Sequence, residues 1–495
     1  MQAPEPTTTG AAVPQAAGVR GAAGRTADPA ATTHAAHPAR AADRPDRAGA
    51  VHGDHGSQGD HGSRAAPSAD ADVLVVGAGP AGSTAAAHLA RAGLDVLVLE
   101  KATFPRPKVC GDGFTPRGMK QIIDLGIDCS ERNGWLHNRG LRVVAGGVSL
   151  DLPWPTLSSF PDFGAVRPRQ DFDELLVRHA EQQGARLREA TTVTAAVTDE
   201  RSGRVLGVEG HEGPDRRPVS YRAPLTLACD GVSARVALSL GIAKDDRKPL
   251  GVAVRRYYES PRTHDDHLET HLEIWDRSDP EHPRLLPGYG WIFGMGDGTS
   301  NVGLGVLATD RTGGSWDYRA LLRSWLEGLP EDWGYREANA VGGIGGAALP
   351  MGFNRTPHYR PGLLLVGDAG GMVNPLNGEG IAYAMESATV AARCTVQALA
   401  RSGDSREAAL AAYPGEISRA LGRYYRLGAV AARLIGNPTV MRVATRHGLP
   451  RRSVMQALLK LLANLYDDPT TSTDRKEGEW SDRVLGALTR LTPAL

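Results

Sequence analysis

A chain of 495 residues is too long for one simple core and predicts two or three domains, or one interrupted assembly. Lys+Arg and Asp+Glu balance at 56 each and aromatics make up only 5%, which argues against a nucleic-acid surface, whether basic or base-stacking. The four cysteines, Cys110, Cys129, Cys229 and Cys394, are widely spaced with no CxxC pair, so reduced thiols in a cytoplasmic protein are expected rather than disulfides or a zinc site.

Residues 1–69 read as a low-complexity tail of Ala, Gly, Pro, Thr, His, Asp and Arg, with scarcely a large apolar side chain. Such a segment cannot bury enough surface to offset its ordering entropy, so disorder is expected. It also lacks the apolar stretch of a secretory signal. Its histidines His34, His37, His52, His55 and His61 fit a solvated tail better than a metal site, and no metal is expected. Nowhere does an apolar run approach the roughly 18–20 residues that span a bilayer.

Order is expected to begin at Asp72, in DVLVVGAGPAGSTAAAHLARAGLDVLVLEK. Val73 to Val76 is a continuous apolar run, as in a parallel strand covered on both faces. Gly77-Ala78-Gly79-Pro80-Ala81-Gly82 follows as GxGxxG. The first Gly permits the tight turn, the second the approach of a pyrophosphate, and the third close packing of the next helix. Ser83 to Arg91 is Ala-rich and helix-competent, and its N-terminal amides would face phosphates. Gly93 stops it, and Asp95 to Leu99 forms a second strand ending at Glu100, followed by Lys101. Glu100 stands where a carboxylate binds a ribose hydroxyl pair, which favours FAD or NAD over NADP and leaves those two open.

Further along, Cys110 lies in FPRPKVCGDGFTPRGMKQIIDLGI, between Lys108 and the pair Gly111 and Gly113 that brackets Asp112. It reads either as an inert small hydrophobe or as part of a loop passing close to a cofactor. Stretches such as HLEIW and NVGLGVLA suggest a sheet between 249 and 350. Tyr289 and Trp291, two residues apart, would share one strand face, as core aromatics or as a substrate wall. Leu363 to Val366 is another buried strand, followed by Gly367, Asp368, a Gly-rich loop and a helix from about Gly380. Asp368 by itself could be a capping or turn residue. After Ala392 the chain reads as helices, the last containing VMQALLKLLANLY with Leu458, Leu461, Leu462 and Leu465 at helical spacing. Arg442, Arg446, His447, Arg451 and Arg452 precede or open it. It is expected to pack on the body of the protein or, alternatively, to lie at a membrane surface.

The combination of GxGxxG, CDGVSARVALSLGI (Cys229 to Ile242) and PGLLLVGDAGGMVNPLNGEGIAYAMESATVAA (Pro361 to Ala392) resembles the flavoprotein hydroxylase superfamily. The resemblance implies FAD, with Asp368 on the ribityl chain and the helix opening at Gly380 and Ile381 aimed at the isoalloxazine. It also places Arg169, in RPRQDFDELLVRHAEQQGARL, near the ribityl–phosphate portion, and Val193 on the strand whose backbone meets adenine. Asp230, Gly231, Ser233 and Arg235 stand at the matching positions of its DG motif, whereas Asp173 is assigned no chemistry. Within the superfamily, the Lys108–Gly113 loop and PGYGWIFGMGDGTSNVGLGV (Pro287 to Val306) are similar to the Cys-Gly loop and substrate strand of the geranylgeranyl reductase family. One departure stands out: Gly294 occupies the position of the family's usual Pro. The similarity covers residues 71 to about 440.

The expected fold is α/β: a Rossmann-type FAD-binding domain (70–140, 167–248 and 351–398), an interleaved α+β substrate domain (141–166 and 249–350) and a helical C-terminal region (399–495). The family implies saturation of a polyprenyl double bond, with Cys110, Tyr289 and Trp291 at the reacting end. Cys110, Gly111, Asp112 and Gly113 would also border the flavin. The menaquinone side chain is the first choice of substrate, because the Ala/Gly/Arg-rich tail suggests a high-GC genome; geranylgeranyl lipids or diphosphate follow. From another reaction class, a flavin monooxygenase acting on an aromatic or polyketide would use the same FAD motifs. NAD(P)H or a redox protein would supply electrons, although no second GxGxxG unit is present. The expected location is the cytoplasm, with a peripheral contact on the inner face of the cell membrane as a further expectation.

Overall fold

The computed structural model describes residues 69–308, 316–435, 437, 439–440 and 451–465; the expected disordered tail up to Ser68 and Arg442, Arg446 and His447 lie outside them. The fold is mixed α/β. Val73–Val76 is fully buried and pairs in parallel with Val96–Leu99 on one side and Leu225–Ala228 on the other. Leu363–Leu365 and Arg186–Arg188 extend this sheet in parallel, and Tyr359–Arg360 closes one edge antiparallel. The chain thus leaves the Val73–Val76 strand toward one neighbour and later returns to the other. That reversal opens a crevice at the carboxyl ends of the strands, where Gly77 begins.

The first helix, Pro80–Arg91, starts earlier than the Ser83 expected from composition. Pro80 explains the difference: at the first helical position its missing N–H is lost without penalty and its φ is already helical. Small residues then let three helices approach closely. Ala85, Ala86 and Ala87 share one core cluster with Ala384, Ala388 and Ala391 of Ile381–Leu399 and with Phe172, Leu176 and Ala180 of Arg169–Gln182. On the other sheet face, Leu74, Val76, Leu97 and Leu99 pack with Val193 and Val208 of a three-stranded antiparallel sheet.

A seven-stranded sheet draws its strands from Gly140–Ala145, Val148–Pro153, Leu250–Glu259, His267–His271, Gly288–Gly294, Thr299–Ala308 and Ala340–Pro350. Gly164–Val166 does not join it, pairing instead with Gly113–Phe114 and Leu136–Asn138 in a small sheet beneath the Cys110 loop. The strand expected over HLEIW is interrupted: Trp275–Asp276 pairs with Arg284–Leu285 in a separate two-stranded sheet, and pairing in the seven-stranded sheet ends at His271. Beyond it, Glu273 accepts the Gly146 amide at 2.9 Å and Ile274 turns into the core beside Leu286.

The last described helix, Arg452–Leu462, packs on the body through Met455 and Leu459, and Leu465 just beyond it is fully buried. This is the packed placement, the first of the two expected for the helix. No helix among the described residues is long and apolar enough to cross a membrane.

Candidate active site

One cavity of about 600 Å3 runs from the crevice into the seven-stranded sheet. Gly77, Gly79, Pro80, Ala81, Glu100, Lys101, Val193 and Asp230 line the crevice part. The three motif glycines are glycine for different reasons. A Cβ on Gly77 would lie 2.5 Å from the Cys229 carbonyl, and one on Gly82 would lie 1.8 Å from the Gly77 carbonyl. One on Gly79 would meet nothing nearer than the Arg106 guanidinium at 3.9 Å. Packing thus dictates Gly77 and Gly82, whereas Gly79 leaves open the space a pyrophosphate needs.

Glu100 is held ready at the strand end. Its carboxylate accepts the Ala78 and Ala102 amides at 2.9 and 3.1 Å and lies 3.3 Å from Arg106. Arg106 and Arg169 are both anchored by Asp173, which is fully buried and reached at 3.0 Å by Arg106 and at 2.7 and 2.8 Å by Arg169. Asp173, given no chemistry from sequence, therefore positions two cavity-lining guanidiniums. Its spacing of four from Arg169 on one helix was the available signal.

Asp368 follows the central strands and lines the cavity, with no hydrogen bond to its carboxylate among the described residues. Burial pushes its pKa up, opposed by Lys108 and Arg169. Lys108, also in the wall, has its pKa lowered by burial and by Arg169. Beside Asp368, the helix Ile381–Leu399 opens at Gly380 with no side-chain cap, leaving its first amides free for a ligand. An open pyrophosphate slot, a ribose-ready carboxylate, an unbonded Asp and an uncapped helix start fit FAD.

The Cys110–Gly113 loop lies at the junction. Gly111 and Gly113 sit against Trp291 and Phe293, and a Cβ on Gly113 would come within 2.9 Å of the Phe293 ring. Burial pushes the Cys110 thiol pKa up, opposed by Arg169, so the sulfur is a thiol rather than a thiolate. The Asp112 carboxylate is held in a buried network: it accepts from Tyr257 and Asn301, the latter at 2.7 Å, and from the Arg169 amide at 3.1 Å. Asn301 also donates to the Cys110 carbonyl and accepts the Trp291 indole N–H at 3.0 Å. Asp112 thus holds the loop from behind, and Tyr257 and Asn301, both missed from sequence, complete the clamp.

Past the loop the cavity becomes apolar. Tyr289, Trp291 and Phe293 project from one strand face, and Leu141, Trp154, Leu268, Leu459 and Leu462 extend the wall. Gly303 makes room for Trp291, since a Cβ there would be 2.3 Å from the indole. Gly294 is explained likewise, since any side chain would strike the Arg262 and Thr263 carbonyls at 2.7 and 2.5 Å.

The chain is similar to known flavoproteins in sequence and in fold. The profile of the FAD binding domain family matches residues 70–423. A menaquinone reductase of Mycolicibacterium smegmatis is 35% identical over 418 residues, covering 84% of this chain and 95% of the relative. A digeranylgeranylglycerophospholipid reductase of Methanopyrus kandleri is 33% identical, covering 66% and 81%. A geranylgeranyl bacteriochlorophyll reductase-like protein of Thermoplasma acidophilum superposes with a TM-score of 0.62 at 22% identity, covering 84% of this chain and 99% of that one.

Proposed function

We propose that this chain, which belongs to the FAD binding domain family and within it to the geranylgeranyl reductase-like group, saturates a double bond in a polyprenyl chain, foremost the isoprenoid side chain of menaquinone. The observation that carries this reading is the continuity of the cavity: a dinucleotide-shaped crevice opens past Cys110 into an apolar chamber without a break. A second substrate reading, a geranylgeranyl lipid, rests on the same chamber and on the archaeal relative.

FAD would be held by Gly77–Gly82, Glu100, Lys101, Arg169 and Asp368, by the Val193 backbone, by the amides after Gly380, and along the Cys110–Gly113 loop. When reduced, it supplies the hydride that an unactivated alkene requires. The chain supplies the rest. Leu141, Trp154, Leu268 and Leu459 exclude water, and Tyr289, whose hydroxyl donates to the Asn377 carbonyl, fixes the aromatic wall against the loop before Gly380. Electrons arrive from NAD(P)H or a redox protein. A lipid substrate brings this cytoplasmic enzyme to the inner face of the cell membrane.

Anaerobic incubation of the photoreduced protein with menaquinone should yield a product heavier by two hydrogens per reduced isoprene unit. Oxygen should depress turnover by consuming reduced flavin. A product that gains an oxygen atom would replace this reading with a monooxygenase. Cys110→Ala should slow alkene saturation far more than flavin reduction and leave FAD content unchanged; loss of FAD would make the residue structural.

A further inference from the structure

We propose that Glu379 is the proton donor to the alkene, a role that rests on the prenyl-reductase reading. Its carboxyl lines the cavity just before the helix Ile381–Leu399. Thr115 donates to it at 2.8 Å, and the Glu379 amide is tied to the Asn377 side chain at 2.9 Å. The same short turn meets the aromatic wall: Tyr289 donates to the Asn377 carbonyl, and a Cβ on Gly378 would sit 3.6 Å from the Tyr289 hydroxyl. The carboxyl and the wall proposed to hold the prenyl chain are therefore neighbours.

The charged and titratable groups facing Glu379 are Arg117 from the helix Pro116–Asp124, Tyr383 and Glu386 from the helix that follows, and Tyr289 from the sheet. Arg117 is committed to Glu386 and to the Asn464 carbonyl, and no ion pair reaches Glu379 among the described residues. Burial therefore holds the Glu379 pKa up at about 7, against the hydrogen bond from Thr115 and the pull of Arg117. Cys110 and Tyr289 in the same wall are weaker acids, because burial pushes the thiol and the phenol upward. A donor poised near neutrality is the better catalyst.

As the π bond breaks, one alkene carbon takes the cofactor's hydride and the other the Glu379 proton. The carboxylate left behind regains a proton from water, and the external donor would return the hydride's two electrons to bound FAD.

The test uses the FAD-loaded full chain, photoreduced without oxygen and mixed with a menaquinone of unreduced side chain. Glu379→Gln keeps the shape and an acceptor for Thr115 but has no acidic proton. FAD content, flavin reduction potential and the spectral change on adding quinone should be unchanged, while saturation slows by about 100-fold or more. The wild-type rate should fall as pH rises through about 7; this limb should vanish in Glu379→Gln, and Glu379→Asp should recover part of the rate. An infrared pH titration supplies a readout besides turnover: a protonated-carboxyl band should disappear near pH 7 in the wild type and be missing from Glu379→Gln. Wild-type saturation rates in Glu379→Gln, or a loss explained by missing FAD or a shifted potential, would overturn the role. A wild-type protein that saturates no prenyl chain would overturn the functional reading itself and this role with it.

Discussion

Gly79 and Gly82 are three residues apart in one motif, yet substituting them should break different things. A side chain at Gly79 enters the cavity and strikes nothing of the protein's own, so Gly79→Val should purify folded and colourless. At Gly82 the first carbon collides with the Gly77 carbonyl, so Gly82→Ala should destabilise the fold by about 3 kcal/mol, visible as a lowered Tm. Retained flavin in Gly79→Val would sink the assignment of this loop. Asp112 invites a separate test. Tyr257→Phe removes one donor to a buried carboxylate and should cost about 1–3 kcal/mol, with Cys110 alkylation by a thiol reagent faster as the loop loosens. Sequence disclosed residues of the first kind more readily than those of the second. Gly77, Gly82 and Glu100 lie within one strand–helix–strand unit, whose spacing alone reveals them. Asp112 finds Tyr257 and Asn301 across 145 and 189 positions, and no local period encodes such pairings.

Among elements, the strands and helices with uniform burial were legible: Val73–Val76 is apolar throughout because it is covered on both faces. The helix Arg452–Leu462 was not, since an apolar stripe beside arginines suits a core and a membrane surface equally. The structure spends that stripe on the protein. Leu459 is 2% exposed and also borders the prenyl end of the cavity, whereas Val454 is 43% exposed. Leu459→Ala should destabilise by about 2 kcal/mol, the low end for a buried Leu because its site borders open space, and should weaken quinone binding. Val454→Asp should change neither Tm nor the binding isotherm. If Val454→Asp abolished quinone binding, the wall would face the other way.

For the whole molecule, pH should reveal two opposed groups. Burial lowers the His358 pKa to about 4, and its Nε2 donates to the Gly370 carbonyl at 2.9 Å. The unfolded chain therefore binds more protons below about 6.5, and stability from this group falls as pH drops toward 4. Glu379 has the reverse sign. Its folded pKa of about 7 exceeds the ordinary value of 4.5, so its contribution is full below 4.5 and is lost as pH rises through 7. In the wild type the two slopes offset one another between pH 4.5 and 6.5. Glu379→Gln should leave a stability that climbs with pH in this range, and His358→Gln one that declines, both measurable by denaturant melts in a pH series. Identical slopes in all three proteins would show that neither group titrates as its surroundings require.

The helix that walls the prenyl end follows every flavin-binding segment along the chain. Every residue assigned to the flavin, from Gly77 to Ile381, leaves the ribosome before Arg452–Leu465. Roughly 70 residues separate Ile381 from Arg452, about 4–14 s of synthesis at ~5–20 residues per second. During that interval the residues that line the crevice have all been made, while Leu459 and Leu462 of the chamber wall have not. A cofactor that meets the nascent chain in this interval should find the chamber still without Leu459 and Leu462, which the finished fold adds to its wall.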